Sequence, residues 1–341
     1  MPPPPIPTPR FFSLVLTGTA LLWAMASGSI ADRSARGVTM RLGLYLFNPL
    51  LTELFLLFLL LVGFWMLERI SSRSGSMSSI LTLPLRKGWS REWALGAAAG
   101  WGMILAATLP VLLSGNLHGR MALASNSWVL IPLGLATLAV STLAQEVVFR
   151  GYPFRRLVDA VGPTWASLLL SLLFALVLVR QNPPRHIGTA MLVEIAFGLV
   201  LSMAYLRTHG LWLSWGLHFA YWAVAGLVLG LPMAGHTEFT SVMATFATGP
   251  LWLGGGSFGV DGARFTLLVM AAGFAVVFRL TRWYAWEYTH APIVAGGYEV
   301  TVAPPPAHAA MEKQAAAAPP PLVQILPATP QGRSVEDEPL S

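Results

Sequence analysis

Long apolar runs separated by short polar connections organise this chain. They lie at approximately 11–30, 44–67, 94–114, 128–148, 164–180, 188–206, 211–231 and 265–281. Most approach or exceed the roughly 20 residues that a helix needs to cross a bilayer. The pattern predicts an all-α polytopic membrane protein with about eight transmembrane helices in one bundle. The fifth run is the shortest and the least committed to a full span. The first has features of a signal peptide, with Arg10 ahead of an apolar core and Ala24-Met25-Ala26 like a cleavage site. It is longer than the usual 7–15-residue apolar region of such peptides, and reads better as a membrane helix.

Composition agrees. The chain is 55% hydrophobic and 11% charged, where soluble domains carry about 25% charge. It has no cysteine, so disulfide and thiolate chemistry are excluded. The net charge of +6 does not point to nucleic acid, because the basic residues sit between apolar runs and act as topology determinants. Arg69, Arg86, Lys87, Arg91, Arg155, Arg156, Arg207 and Arg279 fall on one side, with fewer on the other. This bias predicts cytoplasmic N- and C-termini.

The organisation expected is a Pro-rich tail (1–10), N-terminal membrane helices (11–127), a membrane core (128–282) and a Pro/Ala-rich cytoplasmic tail (283–341), largely disordered because its composition buries no core. The connection at 232–264 is the longest between runs. Its Gly254-Gly255-Gly256 and Gly259 imply tight turns.

Chemistry concentrates at Gln145-Glu146-Val147-Val148-Phe149-Arg150, which closes the fourth run. Ionisable residues inside a membrane segment are costly and mark functional sites by default. Glu146 and Arg150 are four apart on one helix face and can pair. That pair serves either to activate and orient water or to pin one helix to the next. His218, among Leu217, Phe219 and Trp222, must find a partner or stay neutral. It suits a general base, an oxyanion donor, a metal ligand or a satisfied core histidine. Glu53 and Glu194 also fall within runs, and each is a candidate for a basic partner in the bundle interior, Glu53 alternatively lying near the interface. Asp159 is expected to face water or cap a helix, and His186, His209 and His236 to be solvated. A divalent metal such as zinc has weak support, since only Glu146, Glu194 and His218 are embedded donors and no HExxH pair is present.

These residues resemble the CAAX-protease and bacteriocin-processing family of intramembrane endopeptidases (CPBP, or Abi). Its motifs are Glu-Glu-x-x-x-Arg, Phe-x-x-x-His and His-x-x-x-Asn/Asp. Here they read Gln145-Glu146-x-x-x-Arg150, Phe174-x-x-x-Leu178 and His218-x-x-x-Trp222. The flanks Phe149-Arg150-Gly151-Tyr152, Asn182-Pro183 and Phe197-Gly198-Leu199 agree too. The resemblance implies that the first glutamate and the two histidines act on water and the scissile carbonyl, while the asparagine holds the oxyanion. Glu146, Arg150, Phe174 and His218 are retained. Gln145, Leu178 and Trp222 occupy the altered positions.

Those changes are chemically severe. An amide is no general base near neutral pH, leucine has no polar atom, and indole fills space that water or peptide needs. Losing a general base costs roughly 10²–10⁴-fold and an oxyanion donor about 10²–10³-fold. For Trp222 alone, an interfacial belt position is the plainer expectation. The leading expectation is a catalytically impaired relative that binds transmembrane or lipidated peptides in the lipid bilayer. Alternatives are an active endopeptidase using Glu146 and His218, and a transport protein. The flanks point to a bacterial inner membrane.

Overall fold

The computed structural model describes residues 10–71, 82–84, 86–184, 187–236, 239–282 and 313–314. The expected tail segments 1–9, 283–312 and 315–341, together with His186, lie outside the described residues. The elements are α1 (Arg10–Leu42), α2 (Asn48–Ser71), α3 (Trp89–Leu113), β1 (Leu117–Met121), α4 (Ser127–Phe149), α5 (Tyr152–Val161), α6 (Pro163–Gln181), α7 (Ile187–Thr208), α8 (Trp212–Ala223), β2 (Met243–Ala247), the short α9 (Leu251–Gly254) and α10 (Arg264–Leu280).

The protein is an all-α polytopic membrane protein. Among the described residues, seven helical segments are long and apolar enough to cross a membrane, including α6. The eighth expected run is the 17-residue α10, which packs on α7 and α3. Many large apolar side chains on these helices are exposed, Trp101, Leu105, Leu109 and Leu112 on α3 among them. Such faces suit lipid contact, since apolar surface costs nothing in hydrocarbon.

Local chemistry sets the helix ends. Pro163 stands in the first turn of α6 and Pro153 in that of α5, where the missing N–H is no loss. Helix α1 runs 12 residues past the expected end of its apolar run. Asp32 and Arg36 form an i,i+4 pair there, and Ala31, Ala35 and Thr39 continue a buried stripe at helical spacing.

Three contacts define one end of the bundle. Arg156 on α5 binds Glu68 near the end of α2. Arg86, ahead of α3, binds Glu92 and the Thr208 carbonyl at the end of α7. Arg207 binds Thr281 just beyond α10. The opposite end is closed by β1 and β2, antiparallel with Leu117 opposite Ala247 and Met121 opposite Met243. The segment between α8 and α10 is folded, as its glycines implied. Gly255 and Gly259 have φ of +70° and +80°, a region that favours glycine.

The tightest helix pair is α3 with α8. A Cβ on Gly96 would lie 2.1 Å from the Leu213 carbonyl oxygen, and one on Gly100 2.1 Å from that of Leu217. The small residues of α3 thus let the backbone of α8 come close, as expected for membrane helix packing. This approach positions His218, the residue after Leu217.

Replacing Gly100 by Ala is expected to destabilise the protein by about 1–3 kcal/mol through overpacking. Gly102→Ala should be neutral within about 0.5 kcal/mol, because its Cβ would meet nothing within 4 Å. Thermal unfolding of both variants in detergent checks the contrast.

Candidate functional site

Helix α4 delivers Glu146 and Arg150 from one face, and α8 delivers His218 from across the bundle. One carboxylate oxygen, Glu146 Oε1, serves both partners. Arg150 Nη1 donates to it at 3.2 Å, and His218 Nδ1 lies 2.8 Å away. A carboxylate only accepts, so Nδ1 carries the hydrogen. Arg150 Nη2 donates to the Gly198 carbonyl on α7 at 3.1 Å, and its guanidinium stands 4.9 Å from the Phe174 ring centre on α6. Four helices therefore meet on three side chains, all at most 1% exposed.

An aromatic wall surrounds the histidine. Trp222, Phe197 and Phe174 meet its ring edge-to-face at 5.0, 5.4 and 5.8 Å. Trp222 is buried, which corrects the interfacial-belt expectation: one turn beyond His218, it is held on the same inward face. Leu178 is buried in the same apolar cluster as Phe174, Phe197 and Trp222. Gln145 is half-buried. Its Oε1 is shielded and unpartnered, and it makes no hydrogen bond to Glu146, Arg150 or His218. Adjacent helical residues diverge by about 100°, so Gln145 and Glu146 face different walls.

Glu146 Oε2, His218 Nε2 and Arg150 Nε are also buried without partners. The two best-formed cavities lie elsewhere, one beside α5 and the other near Trp252 and Arg264. The arrangement holds a charge pair and fixes an imidazole.

Residues 125–224 match the Rce1-like family of type II CAAX prenyl endopeptidases. All seven motif positions, retained or altered, lie inside the matched segment. No curated protein and no solved structure matches the chain. The Rce1-like segment thus spans α4 to the end of α8, the helices that carry the site.

The expectation for Glu194 is corrected. Glu194 has no basic partner among the described residues; Arg150, at the end of α4, pairs with Glu146 and donates to the carbonyl of Gly198, on the next turn of α7. Instead Glu194 feels the charge of Asp261, a residue not singled out from sequence. Glu53 is half-buried and likewise forms no ion pair among the described residues. Asp159 is half-exposed, His209 is exposed and His236 half-buried, near the stated expectations. No three His, Cys, Asp or Glu residues come together to hold a metal among the described residues. Glu194 stands with Asp261 and not with Glu146 and His218, so the expected donor set for zinc does not converge.

Asp261 lies beyond the Rce1-like segment, in the fold between β2 and α10. Tyr221 donates to Oδ1 at 2.6 Å and the Ala234 N–H to Oδ2 at 3.1 Å. Ala234 has φ +46°, so the carboxylate fixes a strained turn. The signal for it in the sequence was indirect: an acid flanked by Gly259 and Gly262 in an otherwise apolar connection.

Burial pushes the Asp261 carboxyl up to about 6, although the bonds from Tyr221 and Ala234 favour the ionised form. The folded state therefore binds a proton that the unfolded state, with a carboxyl near 3.9, has released. Stability should fall as pH rises from about 4 to about 6 and then level. Asp261→Asn should flatten that part of the curve in thermal unfolding measured against pH.

Proposed function

We propose that this protein is a catalytically impaired, Rce1-like membrane protein that binds transmembrane or lipidated peptides without cleaving them. One observation carries the reading: His218 is locked against Glu146 and walled by Trp222, Phe174 and Phe197. Leu178 and Trp222 bring hydrocarbon and indole where the resemblance calls for imidazole and carboxamide. Glu146 is already engaged, as counter-ion to Arg150 and as anchor of His218. Residues 128–282 would form the peptide-binding core.

A second reading is supported by the 2.8 Å contact between His218 and Glu146, since a carboxylate that orients a histidine is a recurrent catalytic device. In that reading Glu146 and His218 hydrolyse peptides without the altered residues.

The basic end of the bundle, with Arg86, Arg156 and Arg207, favours a cytoplasmic placement of that end under the positive-inside rule. Both termini would then be cytoplasmic, in a bacterial inner membrane.

The purified protein in detergent is expected to leave prenylated-peptide and transmembrane reporter substrates intact while retaining prenylated peptide in a pull-down. Cleavage that disappears in Glu146→Ala or His218→Ala would establish the second reading. Orientation is checked separately. The chain lacks cysteine, so single cysteines at Ser90 and Ser125 should be blocked by a membrane-impermeant thiol reagent in intact cells only at Ser125.

A further inference from the structure

A cavity of about 380 Å³ lies at the basic end of the bundle and apart from Glu146. Helix α5 lines it with Phe154, Arg155, Arg156 and Asp159, and the end of α7 with Tyr205. Its floor is apolar: Phe154 and Tyr205 are buried and meet edge-to-face at 5.5 Å.

The two arginines differ sharply. Arg156 is fully engaged, by Glu68, by Ser71 at 2.7 Å and by Asp159 at 3.7 Å. It takes up both carboxylates that line the cavity. The Arg155 side chain makes no hydrogen bond or ion pair with any described residue; its Nε and Nη2 are shielded from solvent, while the side chain lines the cavity. The cavity therefore holds one guanidinium that no described carboxylate binds, and such a charge is better placed with an acceptor beside it. Tyr205 stands close enough to feel its charge and adds a hydroxyl.

We propose that this cavity binds the phosphate of an anionic phospholipid headgroup, with Arg155 as its principal donor. The planar fork of arginine suits a phosphate oxygen pair. Basic pockets between membrane helices, at the level where headgroups lie, are the places where such lipids dock. The apolar floor then meets the glycerol and upper acyl region. The proposal is independent of whether the site at Glu146 is active.

The full-length protein in neutral detergent is titrated with phosphatidylglycerol, phosphatidylcholine or inorganic phosphate. Thermal unfolding and native mass spectrometry read the result. Phosphatidylglycerol should raise the melting temperature and remain bound, and phosphatidylcholine should do neither. Arg155→Gln should weaken phosphatidylglycerol binding at least fivefold and Arg155→Lys less so. Arg279→Gln, an exposed arginine at the same end, should leave it unchanged. Equal retention of the two lipids by the wild type overturns the proposal, and that comparison holds even where an Arg155 variant fails to fold. Unchanged binding in a folded Arg155→Gln overturns it too. An Arg155-dependent response to inorganic phosphate but not to the lipid assigns the cavity to a free anion and overturns the lipid assignment.

Discussion

A buried carboxylate must be paired, and the pairing of Glu146 organises this membrane core. Moving an ion out of water costs several kcal/mol even after the protein relaxes, and the bilayer offers no solvent to repay it. Glu146 solves the problem with one oxygen shared by Arg150 and His218. Because the arginine extends to the Gly198 carbonyl on α7, the same solution ties α4, α7 and α8 together. Phe174 adds α6 by facing the guanidinium. The close contact of α3 with α8 at Gly96 and Gly100 sets the depth at which His218 arrives.

The same constraint bears on chemistry. On the proposed reading, a carboxylate that serves as counter-ion and histidine anchor does not take a proton from water, and the positions that the resemblance would have assist it hold Leu178 and Trp222. Both side chains are buried in the apolar cluster of the core. The frame around them holds whether or not hydrolysis follows, because the ion pair ties the helices together in either case. The buried contact of Tyr221 with Asp261 is a second device of this kind. It secures the segment around Asp261 to α8, one turn beyond the histidine.

Much of this was legible in the sequence. Apolar run length located the helices, and the spacing of Glu146 and Arg150 put them on one face. The motif order at Gln145, Phe174 and His218 pointed to the Rce1-like segment. Other features were not legible, for physical reasons. Hydropathy stops at the last apolar residue, so it missed the continuation of α1 through the Asp32–Arg36 pair. Trp222 reads alike at an interface or in a core until its neighbours are known. Glu194 was expected to find a cation, but its nearness to the like charge of Asp261, 67 positions away in the chain, depends on how a long connection folds back. Arg155 looked like a simple anchor, and only the engagement of its neighbour Arg156 separates the two.

The central claim is that Glu146 and Arg150 act as one structural unit. A double-mutant cycle tests it most directly, with Glu146→Gln, Arg150→Gln and the double variant compared by unfolding in detergent. Each single change should cost about 3–5 kcal/mol by leaving the other charge buried and unpaired. The double variant should cost little more than either, a coupling of at least about 1 kcal/mol. Additive losses, or single variants as stable as the wild type, would contradict the account.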